Sequence, residues 1–213
     1  TTEIYTLSLH DALQIYELMM VLYIMTFGIF SGFAAQTALI INNNFGASSP
    51  LASSFAEADL PKGASYAFLG ALIGSVLRFA WGPLCDRFGG AIWTFVSALG
   101  MATTLGFCGW SLATANEPGD FKIFLAGLLA MFFFAGVGNA ATFKQMPMIM
   151  PKRQAGGAIG FTAAVASLGP FLVGVALSAI PASLFFYASA LFCLLCAVIC
   201  WLRYARPGAA RPG

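Results

Sequence analysis

The chain has 213 residues, of which 60% are hydrophobic and 8% are charged, and its formal net charge is +2. About a quarter of the residues of a soluble domain are charged, so this composition excludes disordered and nucleic-acid-binding proteins. It also excludes a soluble domain, because a chain of this length could not bury so much apolar side chain away from water. The solvent that fits this composition is the lipid bilayer.

Six apolar runs are long enough to cross a bilayer, which takes about 20 residues of helix. They are continuous and lack the alternation of barrel strands, so we predict an all-α membrane protein with six transmembrane helices. The predicted bundle occupies residues 16–205 and is followed by a tail over residues 206–213. In chain order the predicted spans are Leu18–Ile41, Tyr66–Leu84, Ile92–Ala113, Phe121–Ile149 (interrupted by Pro147), Ala155–Ile180 and Ala182–Leu202.

Residues 1–15 precede the first predicted span and contain the only histidine of the sequence, His10. They have neither the charged region nor the small-residue cleavage site of a signal peptide. The stretch Thr6–Ile15 resembles translated sequencing-adapter DNA. We therefore expect residues 1–15 to be either a short linker or a segment that is not native to the protein.

The connections between the predicted spans are rich in turn residues. We predict a long loop over Asn42–Ser65, short turns over Asp86–Gly90 and Ala115–Asp120, a cationic hinge over Pro151–Gln154 and a tight turn at Pro181.

The cations divide unequally between the two faces that six spans create. Lys62 and Lys122 lie on one face together with acidic residues, and six cations lie on the other. Since cytoplasmic loops carry the excess of Lys and Arg, we predict that both termini are cytoplasmic and that the protein lies in the inner cell membrane. The six cations of the cytoplasmic face are Arg87, Lys152, Arg153, Arg203, Arg206 and Arg211.

Two cations, Arg78 and Lys144, remain inside predicted spans. An arginine in mid-helix costs several kcal/mol, so Arg78 should face the bundle interior or a watery cavity. Its planar, permanently charged guanidinium suits a planar oxyanion, and snorkelling to the headgroups is the alternative. For Lys144, near the cytoplasmic end of its span, snorkelling is the preferred interpretation, and attraction of anions to the cytoplasmic mouth is the alternative.

The stretch Gly82–Gly90 reads G-x-x-x-D-R-x-G-G between the second and third predicted spans. A carboxylate in such a turn can cap the next helix or pair with an arginine, and glycines allow the backbone to turn tightly. The stretch resembles the loop signature of the major facilitator superfamily, although an ordinary charged turn is the alternative. The resemblance implies a conformational-switch loop that latches neighbouring helices in one access state, formed by Gly82, Asp86, Arg87, Gly89 and Gly90.

Four further stretches resemble the seventh, eighth, tenth and eleventh helices of the nitrate/nitrite porter family. They are Tyr23–Phe33, Phe68–Arg78, Ala135–Phe143 and Gly160–Phe171, and the whole resemblance runs from about Met19 to Tyr204. Members of that family have twelve spans. The resemblance therefore implies a truncated chain that carries only the C-terminal six-helix half, built as a 3+3 inverted repeat, with the N-terminal half as its partner.

The same resemblance implies which residues hold the substrate. In the family the anion lies between two arginines, one from each half, and is clamped by aromatic side chains. Arg78 would be the arginine of this half, with Tyr23 and Phe27 as its aromatic neighbours, although helix packing is the alternative for these two rings. Three weaker pore-lining candidates, which could instead hydrogen-bond between helices, are Asn139, Thr142 and Ser167.

The implied function is transmembrane transport of nitrate or nitrite by alternating access. No Asp, Glu or His lies within a predicted span, so we expect exchange of anions rather than proton coupling. A carrier for another small anion or organic solute, and a membrane subunit or sensor without transport activity, are the alternatives. The sequence contains no nucleophile–His–carboxylate set, phosphate loop or carboxylate pair, so we expect no enzyme activity, no cofactor and no metal.

Small residues are expected to serve the packing of the helices. The five cysteines are interpreted as small apolar packing residues; Cys193, Cys196 and Cys200 share one face of the last span, but no histidine or carboxylate lies near these three as in a metal site. Pairs of glycines four residues apart are predicted to let helix backbones approach each other; they are Gly28 and Gly32, Gly70 and Gly74, and Gly156 and Gly160.

Overall fold

The computed structural model describes residues 17–54, 60–117, 119–149 and 152–209, and these are almost entirely helical. The segment over residues 1–15 and the last four residues of the tail lie outside the described residues. A 3-10 turn covers Ala52–Ser54. The helices are α1 (Glu17–Asn44), α2 (Gly63–Ala80), α3 (Gly82–Phe88), α4 (Gly90–Thr114), α5 (Asp120–Ile149), α6 (Lys152–Ala166), α7 (Gly169–Ala179) and α8 (Ala182–Cys200).

Within the described residues, six helical stretches are long and apolar enough to cross a membrane, which confirms the six predicted spans. They are α1, α2, α4, α5, the α6–α7 pair and α8 with the π-turn that follows it. The central helix is α5, which packs against α4 and α2; α4 also packs against α8, and α1 packs against α2 and α7. The buried core is rich in phenylalanine, with the largest buried rings at Phe33, Phe45, Phe124, Phe132 and Phe186.

Glycine lets α2 approach both of its neighbours. A Cβ atom at Gly70 would overlap the Phe132 ring of α5, and one at Gly74 would overlap the Phe30 ring of α1. The predicted close contact is therefore confirmed for this pair. It is confirmed as well for Gly32, where a Cβ would overlap Val173 of α7.

The third predicted pair makes no helix contact. Neither Gly156 nor Gly160 on α6 has an atom within 4 Å of the position that a Cβ would take. Within the described residues this pair therefore brings no helices together, and its role in packing stays a prediction.

Two predicted connections differ from the structure. Asp86 and Arg87 were expected in a turn, but they belong to α3, and the chain reverses only at Gly89, whose φ of 87° favours glycine. The fifth span was expected to be one helix, but it is two, because the chain turns at Ser167–Leu168 and α7 begins at Gly169 with a proline in its first turn.

Other helix boundaries follow the sequence closely. The α4–α5 turn lies where it was expected, and the Asp120 carboxylate accepts hydrogen bonds from the backbone N–H groups of Asn116 and Glu117 at 2.9 and 3.0 Å. Pro147 does not interrupt α5, which continues to Ile149. In the described residues the five cysteines are free and buried, and no group of three metal-ligating side chains occurs.

Candidate functional site

Arg78 lies in the last turn of α2, at the edge of the surface through which that helix contacts its neighbours. One turn earlier, Gly74 holds α2 close to α1 and to α5, since a Cβ there would overlap Phe30, and one at Gly136 would lie 2.6 Å from the Gly74 carbonyl oxygen. The long Arg78 side chain therefore reaches residues of both neighbouring helices. It is exposed within this bundle.

Aromatic side chains hold the Arg78 guanidinium from two helices. Its central carbon lies over the Phe143 ring of α5, 5.1 Å from the ring centroid, which is a cation–π geometry. From α1, the buried Tyr23 phenol lies near enough for the charge of the same guanidinium to act on it. The guanidinium has five N–H donors in one plane, and the aromatic contacts do not occupy all of them, so donors remain for a ligand.

A second aromatic residue, Phe27, follows Tyr23 on the same face of α1. The Tyr23 and Phe27 rings are stacked, with centroids 5.4 Å apart and planes 20° apart. Directly after Tyr23 the helix changes to a π-helix over Ile24–Gly28, which includes Phe27 and which sequence reasoning missed. Such single-turn π segments occur often at functional sites. The structure therefore brings together three of the predicted substrate residues, Arg78, Tyr23 and Phe27.

The predicted conformational-switch loop lies one to three turns beyond Arg78, mostly within α3. The Lys144 ammonium of α5 contacts both Asp86 carboxylate oxygens, at 2.7 and 2.8 Å. The Lys144 side chain reaches the α3 end and pairs there with this carboxylate, so its preferred interpretation, snorkelling towards the cytoplasmic face, stays a prediction. Burial raises the pKa of the neighbouring Cys85 thiol to about 11; the Asp86 charge acts in the same direction and the Lys144 charge opposes it.

The other loop residues hold the ends of α3 and α4 in place. The guanidinium of Arg87 lies over the adjacent Phe88 ring at 5.3 Å. A Cβ at Gly90 would lie 2.7 Å from the Ala141 carbonyl oxygen, so glycine is needed where α4 meets α5. Together these contacts attach the α3 end of the bundle, by which we mean the end where α3 lies, to the helix that carries Phe143 and Lys144.

A family model described as the Major Facilitator Superfamily matches residues 18–213. The chain belongs to the Major Facilitator Superfamily. Members of this superfamily are transporters rather than enzymes, and the chain is accordingly a multi-pass membrane protein.

Curated relatives within the Major Facilitator Superfamily are similar over nearly all of the chain. It is 45% identical over 197 residues to a probable nitrate/nitrite antiporter, NarK2, of Thermus thermophilus, covering 90% of this chain and 42% of that protein. It is 26% identical over 221 residues to the nitrate/nitrite transporter NarU of Escherichia coli strain K12, covering 89% of this chain and 44% of that protein. The chain thus spans less than half the length of these relatives. The similarities confirm the resemblance to nitrate/nitrite porters.

Among the contacts described, the three weaker site candidates make none with the Arg78 guanidinium. Thr142 is buried, and its hydroxyl lies 3.0 Å from the Thr26 hydroxyl of α1. Asn139 is buried, and its side-chain oxygen has no hydrogen-bond partner among the described residues. Ser167 is exposed in the turn between α6 and α7, where its hydroxyl donates to the Ala164 carbonyl oxygen at 2.7 Å. These contacts agree with the alternative of helix packing for Thr142.

Sequence reasoning missed Phe143, which is the ring beneath Arg78, and it missed the pairing of Lys144 with Asp86. The available signal was their adjacency on α5, because an aromatic residue and a cation side by side in a membrane span are unusual. The spacing of residues within one helix could not predict these two contacts, since both depend on how closely α2 and α5 approach each other.

Proposed function

We propose that the chain forms one six-helix half of a nitrate/nitrite carrier that works by alternating access, and that Arg78 binds the anion. The observation that carries this proposal is the Arg78 guanidinium, which lies over the Phe143 ring, acts electrostatically on the Tyr23 phenol and keeps N–H donors for a ligand. A guanidinium fork matches a planar oxyanion, and the aromatic rings beside it can cover the flat faces of such an ion. The printed names of the relatives support nitrate and nitrite as substrates.

The exposed faces of the bundle support a second half as the partner. Only 17% of the apolar window of α2 and 22% of that of the α6–α7 pair are buried within the bundle. Phe79, one residue after Arg78, is 89% exposed, and Phe161 and Phe171 of the fifth span are 66% and 68% exposed. A second six-helix half packed on this side would cover these rings and enclose Arg78 between the halves, at the site where carriers of this architecture bind substrate.

Charge distribution supports an orientation in which the α3 end is cytoplasmic. Arg87 lies in α3, and the Cys200 thiol donates to the Ala91 carbonyl oxygen at 3.4 Å, so the end of α8 with Arg203 and Arg206 lies at the same end. By the positive-inside rule, this end of the bundle faces the cytoplasm, and so do both termini. The membrane that holds the protein is then the inner cell membrane. No Asp, Glu or His occurs within the six helices beyond their first residues, which favours exchange over proton coupling.

The test is nitrate transport by the complete carrier that contains this chain, reconstituted in liposomes. Arg78→Lys keeps the charge but removes the planar fork, and we expect it to lose most nitrate uptake. Lys122→Gln, at the other end of the bundle, is the matched charge control and should transport normally. Undiminished uptake by the Arg78→Lys carrier would overturn the assignment. Competition of labelled nitrate by nitrite and by other small anions tests the substrate class.

A further inference from the structure

A regular stripe of residues leads from Arg78 to the α3 end. Arg78, Gly82 and Asp86 are each four residues apart, and the helical path continues between them, since Trp81 has α-helical dihedral angles of −82° and −12°. The Trp81 N–H donates to the Leu77 carbonyl oxygen, and its own carbonyl oxygen accepts from Cys85. The three residues of the stripe therefore lie on one side of α2 and α3, about one helical turn of 5.4 Å apart.

A second cation lies against this stripe. The Lys144 side chain of α5 passes over Gly82, where its Cε lies 4.0 Å from the position that a Cβ would take, and its ammonium ends on Asp86. The Arg78 guanidinium lies over the ring of the preceding residue, Phe143. Two cations thus follow each other along one path, with Arg78 deeper in the bundle and Lys144 nearer the α3 end.

The Asp86–Lys144 pair is built so that it can open. The side chains of Lys144 and Asp86 are 45% and 59% exposed, so water reaches both groups. Ion pairs exposed to this degree contribute little to stability. In the part of the chain that the structure describes, Asp86 is the acidic residue that pairs with Lys144. A small oxyanion arriving at the ammonium can therefore replace the carboxylate at low cost, since both present a pair of oxygen atoms to it.

We propose that Lys144 is a second anion contact on the path between Arg78 and the α3 end, and that the Asp86 carboxylate competes with the transported anion for its ammonium group. An anion that leaves Arg78 is received by the Lys144 ammonium about two turns further along, beside Asp86. Asp86 takes the ammonium back when the anion departs, which lowers the affinity at the exit. This inference rests on the proposed function, since it assumes that nitrate reaches Arg78.

The test measures half-saturating nitrate concentrations for the complete carrier in liposomes, from the α3 face and from the opposite face separately. Asp86→Asn frees the ammonium and should lower the value at the α3 face about fivefold, whereas Lys144→Gln should raise it by a similar factor. Asp86→Asn with Lys144→Gln together should match Lys144→Gln alone, because Asp86 acts only through the lysine. Lys144→Arg should remain close to wild type, and Lys122→Gln should be unchanged at both faces.

The outcome separates this proposal from two others. If the pair served only as a latch between helices, Asp86→Asn and Lys144→Gln would change transport in the same direction, and that result would overturn the competition. If Arg78→Lys transported nitrate normally, the proposed function itself would fail. If the carrier needs Arg78 but Asp86→Asn and Lys144→Gln change transport in the same direction, the proposed function stands and only this inference fails.

Discussion

The Thr26 hydroxyl of α1 and the Thr142 hydroxyl of α5 lie 3.0 Å apart in the fully buried part of the bundle. Thr26 belongs to the π segment that follows Tyr23 and includes Phe27, and Thr142 directly precedes Phe143. The hydrogen bond therefore joins the turn that follows Tyr23 to the turn that carries Phe143, the ring beneath Arg78. Both hydroxyls also lie near carbonyl oxygens of their own helices, so each can alternate between a local and an interhelical bond.

Replacing both hydroxyls tests the energy of this contact. In a double-mutant cycle with Thr26→Val and Thr142→Val, we expect a coupling of about 0.6 kcal/mol, the average for hydrogen bonds between membrane helices. Thermal unfolding in detergent measures it. Thr104→Val is the control partner, because the Thr104 hydroxyl bonds only backbone oxygens of its own helix among the contacts described, and it should show no coupling to Thr142→Val. Additive effects of Thr26→Val and Thr142→Val would contradict the prediction.

Removing the phenol oxygen of Tyr23 tests whether this residue positions the Arg78 guanidinium. Tyr23→Phe keeps the stacked ring but removes the phenol oxygen beside the Arg78 charge, an interaction worth about 0.5–1.5 kcal/mol. We expect the half-saturating nitrate concentration in reconstituted carrier to rise about two- to tenfold. Tyr187→Phe on α8 removes the same atom from a ring that is 42% exposed, and it should leave transport unchanged. Equal values for the two variants would show that the phenol does not position Arg78.

Two glycine-to-alanine changes with opposite surroundings test the packing of α2 on α5. At Gly136 the added methyl would lie 2.6 Å from the Gly74 carbonyl oxygen, and this backbone atom cannot move aside without shifting the helix. We expect Gly136→Ala to destabilise by about 1–3 kcal/mol, the usual cost of overpacking. At Gly156 nothing lies within 4 Å, so Gly156→Ala should leave the bundle's thermal unfolding temperature unchanged. The prediction fails if the two variants unfold alike.

The Cys85 thiol reports on the charges of the switch loop. Because its pKa is raised to about 11, only a small fraction is thiolate at neutral pH, and the thiolate is the reactive form. Alkylation by iodoacetamide, followed by peptide mass spectrometry, should accelerate about tenfold per pH unit between about pH 8 and pH 10. Asp86→Asn removes a charge that raises the pKa and should speed the reaction, whereas Lys144→Gln should slow it. A rate independent of pH would contradict this assignment.

The sequence predicts the spans well because a lipid solvent leaves only one solution for a long apolar run, which is a helix with all its backbone groups paired. Arg78 stands out for the same reason, since a charge in mid-span is costly unless it has a use. The π segment over Ile24–Gly28 and the division of the fifth span do not change hydropathy, so no apolar run reveals them. Gly169–Pro170 is the local signal that α7 begins anew.

The partners of the charged residues could not be predicted because they depend on distances between helices. Phe143 meets Arg78 only since glycine at positions 74 and 136 brings α2 and α5 together. The pairing of Lys144 with Asp86 depends on the same approach and on α3 continuing the direction of α2. One sequence shows which side chains are costly in lipid, but the approach of two helices decides which of them meet.

Because the fifth span is divided into two helices, α6 can tilt relative to α7. The α7 part is tied to α1 through Gly32 and Val173 and through the Gln36 amide, which donates to the Pro170 carbonyl oxygen at 3.2 Å. The α6 part has 15 residues, about 22 Å of helix, with open space beside three of its glycines. Between the two parts, the Leu168 N–H donates to Val165, three residues back, and Pro170 has no N–H to donate, so the span bends most easily there. A tilt of α6 by about 10° displaces its Lys152 end by about 4 Å, which is the width of a small anion.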